Sequence, residues 1–203
     1  MRRRPEAGTR ADVPVVVVPL RSFDDAKSRL AGVLDPDVRA ALARAMAERV
    51  LAAAGPWPVR VVTDDPEVAT WAARRDVEVV AGGAGLDHSV TTAVSRLAAA
   101  GVRRVVVAHA DLPRARTLAP FAGPGLVIAP DRHADGSNVV AVPTDADFRF
   151  AYGPGSYARH LAEARRLGLA VTIVDDPDLA WDVDHPDDLA GLPPDLAPLV
   201  RAR

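Results

Sequence analysis

The sequence predicts an α/β domain in which a mainly parallel sheet is layered between helices. Two observations carry that expectation. Seven short β-branched runs recur along the 203 residues, and helical segments with readable start signals lie between several of them. The runs are continuously apolar over four to six residues, which suits strands covered on both faces.

Taken in order, residues 15–18 form the first strand. Asp35 and Pro36 then read as N-cap and first helical position, and Val38, Leu42, Met46 and Val50 recur every four residues along one face. Residues 59–63 give a second strand, and Asp65 with Pro66 repeats the start signal before a helix reaching Arg75. A strand over 77–80 and a helix over 88–100 follow. Residues 105–108 then run straight into His109-Ala110-Asp111-Leu112-Pro113. Strands over 126–129 and 139–142, a helix over 156–167 closed by Gly168, and a strand over 171–174 complete the pattern. Length and apolar content suit a single domain over 13–192, flanked by a disordered tail over 1–12 and a loosely packed tail over 193–203.

Composition excludes several classes. Net charge is −2, and no basic block extends beyond Arg2 to Arg4, so a nucleic-acid footprint is not expected. With no cysteine there is no disulfide scaffold, thiolate metal site or cysteine nucleophile. The apolar runs are far shorter than the roughly 18 residues of a membrane span, and 1–12 lack the apolar core of a signal peptide. The cytoplasm is the expected location. Neither G-x-G-x-x-G nor a P-loop occurs.

In such sheets, ligands sit beyond the carboxyl ends of the strands. Asp111 lies there, and Asp182 and Asp184 share one side of an extended segment. Magnesium takes hard oxygen ligands, commonly one or two carboxylates with substrate phosphates, so these three aspartates are candidate ligands if the fold unites them. Asp184, before His185 and Pro186, reads equally as the cap of a turn. The segment 129–138 reads either as a phosphate-approaching loop or as an ordinary turn. Gly153-Pro154-Gly155-Ser156 precedes a helix whose N-terminus suits an anion, with Ser156 as N-cap the alternative. Arg21, Lys27 and Arg29 follow the first strand as triphosphate-binding cations or as a solvated face. His160, alone on its helix, reads as a packed or solvated residue rather than a catalyst.

Together these segments resemble the 2-phospho-L-lactate and phosphoenolpyruvate guanylyltransferases that make the phosphodiester precursor of the deazaflavin coenzyme F-420. The resemblance spans about 13–192. It rests on Pro19-Leu20-Arg21, Ala26-Lys27-Ser28-Arg29-Leu30, Gly85-Leu86-Asp87, His109 to Pro113, Ala129 to Arg132 with Gly136-Ser137-Asn138, Gly153 to Ser156 with His160, and Asp182-x-Asp184-x-Pro186-x-Asp188-Leu189. It implies a nucleotidyltransferase fold, glycosyltransferase-A-like and Rossmann-like, with three layers and a mainly parallel mixed sheet. It also implies transfer of GMP from GTP to phosphoenolpyruvate with release of pyrophosphate, giving enolpyruvyl-diphospho-guanosine. 2-Phospho-L-lactate is the alternative acceptor, and a molybdenum-cofactor or sugar-phosphate nucleotidyltransferase the alternative enzyme.

Carried onto matching positions, Asp111, Asp182 and Asp184 would bind magnesium, with Asp111, Lys27 and Arg29 catalytic. Asn138, Gly153, Ser156, Arg21 and Ser137 would hold the phosphorylated acid, and Lys27, Arg29, Gly85 and Asp87 would serve the nucleotide. The partners implied are small molecules, with direct passage of the product to the next enzyme of the pathway. Arg21 stands where many relatives carry lysine, Asp87 where asparagine is usual, and Ser137 where threonine is usual.

Overall fold

A computed structural model describes residues 13–201; the tail expected over 1–12 lies outside the described residues. Seven strands form one sheet in the order β3-β2-β1-β4-β6-β5-β7. They are β1 (Val15–Pro19), β2 (Val59–Val62), β3 (Glu78–Val80), β4 (Arg104–Ala108), β5 (Leu126–Pro130), β6 (Ser137–Pro143) and β7 (Val171–Ile173). Only β6 runs against the others, pairing antiparallel with β4 and β5. The sheet is therefore mainly parallel and mixed, and the start of β6 reaches the edge where β4 ends.

Four helices cover it: α1 (Pro36–Ala53), α2 (Pro66–Ala73), α3 (Leu86–Ala99) and α4 (Ser156–Arg166). The valines of β1 divide between the layers. Val16 and Val18 pack with Ala43, Ala47 and Val50 of α1 and Trp71 of α2. Val15 and Val17 pack with Val90, Val94 and Leu97 of α3 and Ala164 of α4. Strands buried on both faces need unbroken apolar sequence, which is what β1 and β4 carry. α1 is covered on two sides: its alanines meet the sheet, while Leu42 and Met46 join Leu30, Leu34, Val183, Leu192 and Leu196 in a third cluster.

The Asp65 carboxylate accepts from the Val68 amide and caps α2. Asp35 occupies the N-cap of α1 with extended backbone but makes no side-chain cap bond. At the end of α4, Gly168 takes the left-handed conformation (φ 66°) that closes the helix.

Two expectations need correction. The run 171–174 was expected to be buried on both faces, but β7 is the sheet's edge, with Val171 and Ile173 39% and 51% exposed. The segment after 192 is not loose up to Val200: Leu196 is buried against α1, and the 3-10 turn Ala197–Val200 packs on the same cluster. Among the described residues no helix is long and apolar enough to cross a membrane.

Candidate active site

Chain direction gathers the site. β1, β2, β3 and β4 end on one edge, where β6 begins, and the His109 amide donates to the Asn138 carbonyl at 3.0 Å as those two strands meet. Beyond β1 the chain turns through Lys27, whose backbone is left-handed (φ 56°), into the 3-10 turn Ser28–Leu30. Its ammonium lies between two carboxylates, donating to Asp111 Oδ2 at 2.5 Å and to Asp184 Oδ1 at 3.0 Å. Arg29, mostly exposed, reaches Asp184 Oδ2 at 3.4 Å.

The segment 182–184 is brought to Asp111 by a backbone bond, the Val183 amide donating to the Asp111 carbonyl at 3.2 Å. Asp188 then fixes it from behind. Its buried carboxylate accepts from the Asp184 and His185 amides at 2.7 and 2.6 Å and pairs with Arg132. The turn is thus capped by Asp188, which leaves the Asp184 carboxylate free to meet Lys27. Arg132 also lies 3.6 Å from Asp182 Oδ1, and its guanidinium and that of Arg114 lie over the Trp181 ring, 4.5 and 4.4 Å from the centroid.

Charge is concentrated here. Burial alone would lower the Lys27 pKa, but the charges of Asp111 and Asp184 and their hydrogen bonds outweigh it and hold the ammonium above its ordinary value. Burial would raise Asp111, yet Lys27 and then His109 draw it below the usual carboxylate range. Asp182 is pushed up to about 6, by burial first and then by the charges of Asp111 and Asp184. Among the described residues, no group of three or more acidic or histidine side chains is already arranged about a common point for an ion. The donor set nonetheless suits a hard cation. Two carboxylates meet one ammonium with Asp182 at the margin, and Asp111 Oδ1 is buried without a hydrogen-bond partner.

A cleft of about 660 Å³ opens beside this cluster, lined by Pro19 to Ser22, by Thr63 to Asp65 and by Gly82 to Leu86 with Ser89. A smaller recess of about 250 Å³ joins Arg21, Ser22, Leu86 and Lys27 to His109 and Asp111. Arg21, expected to hold the acid, and Gly85, expected to serve the nucleotide, both line the larger cleft. Asp87 turns elsewhere and accepts from the Tyr152 amide at 2.7 Å, tying α3 to the Gly153 loop.

On the other side, Ser137, Asn138 and Ser156 are 2%, 3% and 2% exposed. The Ser137 hydroxyl meets His160 Nδ1 at 2.9 Å, and the Asn138 amide donates to the Leu179 carbonyl. His160 Nε2 accepts from the Ala151 amide at 3.0 Å, which places the ring proton on Nδ1. Burial first, then Arg159 and His109, lower its pKa to about 4, so it stays neutral. The loop before β6 is an aspartate-capped turn, with Asp131 accepting from His133, Asp135 and Gly136. Gly153 and Gly155 both hold positive φ ahead of α4.

Lys27, Asp111 and Asp184 are thus brought into contact, with Arg29 and Asp182 at their margin. Sequence reasoning assigned no role to Arg132, Asp188 or Tyr152. Asp188 stood within a quoted motif, and its spacing after Asp184 was the available signal. Residues 14–193 match the family described as Guanylyl transferase CofC like.

The chain belongs to the CofC-like guanylyl transferase family.

Its relatives agree. It is 36% identical over 190 residues to a phosphoenolpyruvate guanylyltransferase of Sphaerobacter thermophilus, covering 88% of this chain and 91% of that one. It is 38% identical over 187 residues to a 2-phospho-L-lactate guanylyltransferase of Halorubrum lacusprofundi, covering 87% and 82%. Among solved structures, a nucleotidyl transferase from Methanothermobacter superposes with a TM-score of 0.63 at 20% identity over 94% of this chain and 99% of that one, a likeness of fold. This CofC-like chain is accordingly an enzyme of the nucleotidyltransferase type, and its mixed sheet is the α/β nucleotidyltransferase fold.

Proposed function

We propose that the protein transfers GMP from GTP to phosphoenolpyruvate, releasing pyrophosphate, in the cytoplasmic synthesis of a deazaflavin coenzyme of the F-420 type. The observation that carries the reading is Lys27 held between Asp111 and Asp184, with Lys27 and Asp111 lining the smaller recess, in a chain of guanylyl transferase type. Phosphoenolpyruvate is taken as acceptor because relatives such as the one from Sphaerobacter thermophilus carry that name. The Halorubrum relative, of similar identity, supports 2-phospho-L-lactate as the second acceptor.

The larger cleft falls within the size range of ligand pockets, and the nucleoside is assigned to it. An oxygen of the acceptor phosphate attacks the α-phosphorus of GTP. A new phosphorus–oxygen bond forms, the α–β bridge breaks, and its electron pair leaves with pyrophosphate. The attacking phosphate is already ionised near neutral pH, so no residue need act as a base. What this chain supplies is position and charge: Lys27 and Arg29 orient and neutralise the phosphates, and Arg21 faces them from the end of β1. Asp111, Asp182 and Asp184 would hold magnesium, which when bound would offset charge on the transferring phosphate.

The test is pyrophosphate release from GTP and magnesium with phosphoenolpyruvate, with 2-phospho-L-lactate, and with no acceptor. Release that depends on phosphoenolpyruvate is expected. Equal release without any acid, or none with either acid while GTP binds, overturns the reading.

A further inference from the structure

Among the described residues, six buried side-chain polar atoms have no hydrogen-bond partner, and three of them sit together: Asp111 Oδ1, His109 Nε2 and Tyr152 Oη. Folded proteins keep few such atoms, and each calls for a cause. Asp111 has one in the proposed reaction. His109 and Tyr152 do not, yet their rings pack 5.2 Å apart.

Both side chains are firmly held. His109 follows β4 directly and is anchored through its amide to Asn138. The Tyr152 amide is bound by Asp87, and its ring packs edge-on against His160 with centroids 5.1 Å apart and stacks over Phe150. His160 is itself fixed at both nitrogens by Ser137 and Ala151. His109 lines the smaller recess with Lys27 and Asp111, and Gly153, which follows Tyr152 in the chain, leaves open space where a side chain would stand. Two adjacent neutral groups, each able to donate a proton, match the two oxygens of a carboxylate. A phosphate dianion calls for cations, and those lie on the other side of Asp111, at Lys27 and Arg29.

We propose that Tyr152 Oη and His109 Nε2 form the subsite for the carboxylate of the acceptor acid, directing its phosphate toward Lys27. This rests on the guanylyl transfer proposed above and adds the group that distinguishes an acid from other small phosphate esters.

The experiment compares the phosphorylated acid with its carboxamide, which keeps the phosphate and loses the carboxylate, in wild type and Tyr152→Phe. Wild type is expected to favour the acid by about tenfold or more in kcat/KM. Tyr152→Phe keeps the ring packing, and is expected to raise the KM for the acid about tenfold, leave that for GTP unchanged, and lose most of the preference over the amide. His109→Gln, which keeps a donor at similar reach, should retain more of that preference than His109→Leu. An unchanged KM for the acid in Tyr152→Phe, or equal losses for acid and amide, overturns the subsite while leaving guanylyl transfer intact. Absence of acceptor-dependent turnover in wild type overturns both.

Discussion

Lys27 occupies left-handed backbone, a conformation that costs a residue with a side chain about 1 kcal/mol or more and persists only where the surroundings enforce it. What enforces it here is reach: the ammonium must fold back from beyond β1 to carboxylates on two other segments. It is also the only lysine in a chain with 25 basic residues. A compact ammonium with three rotatable donors serves two separated carboxylates, where the planar fork of arginine fits one. Asp111 completes the arrangement with one oxygen on Lys27 and one left open. Asp111→Asn keeps shape and removes charge, so kcat should fall about a hundredfold or more while the thermal midpoint changes little. Pyrophosphate release and thermal unfolding measure the two together, and a near-normal rate would remove Asp111 from the reaction. Its place just past the carboxyl end of a buried valine strand was legible in the sequence. Tyr152 and His109 were not, because their contact exists only once the 150–152 loop is laid against the end of β4.

The element that aims Asp182 and Asp184 is the short segment from Trp181 into the 3-10 turn Pro186–Gly191. The guanidiniums of Arg114 and Arg132 lie over the Trp181 ring, its indole N–H donates to the Asp188 carbonyl, and Gly191 packs directly on the ring. A methyl group at Gly191 has no room against the indole, so Gly191→Ala must displace the ring or the turn. The expected cost is about 1–3 kcal/mol in denaturant unfolding, with kcat lowered because Asp184 moves relative to Lys27. An unchanged midpoint would show that the ring yields without effort. A turn was expected here with Asp184 as its cap, but the cap is Asp188, and the packing of Gly191 on the tryptophan left no local mark. The regular elements were another matter. Valine runs marked all seven strands and aspartate-proline pairs marked α1 and α2, because both signals are local. The direction of β6 and the exposure of β7 left no local mark: a buried antiparallel strand and an edge strand are written with the same valines.

At the scale of the whole molecule, the Tyr152 loop is held to β6 by a buried neutral histidine. His160 is fully buried among Phe148, Phe150 and Tyr152, and joins β6 to the 150–152 loop. Its pKa falls from 6.5 to about 4, by burial first and then by Arg159 and His109, with Glu163 opposing. Between those values the unfolded chain binds a proton that the folded one refuses, so stability is fully present above pH 6.5 and is lost progressively as pH drops toward 4. The gap corresponds to about 3 kcal/mol, a large share of a typical domain's stability. His160→Gln cannot titrate. It should be less stable than wild type at pH 7.5, since buried partners lose a bond, and the difference should shrink steadily as pH is lowered from 6.5 to 4. Denaturant unfolding at several pH values reads this directly. Parallel curves for the two proteins would mean that the acid sensitivity resides elsewhere, whereas convergence would place it in the histidine that braces the Tyr152 loop.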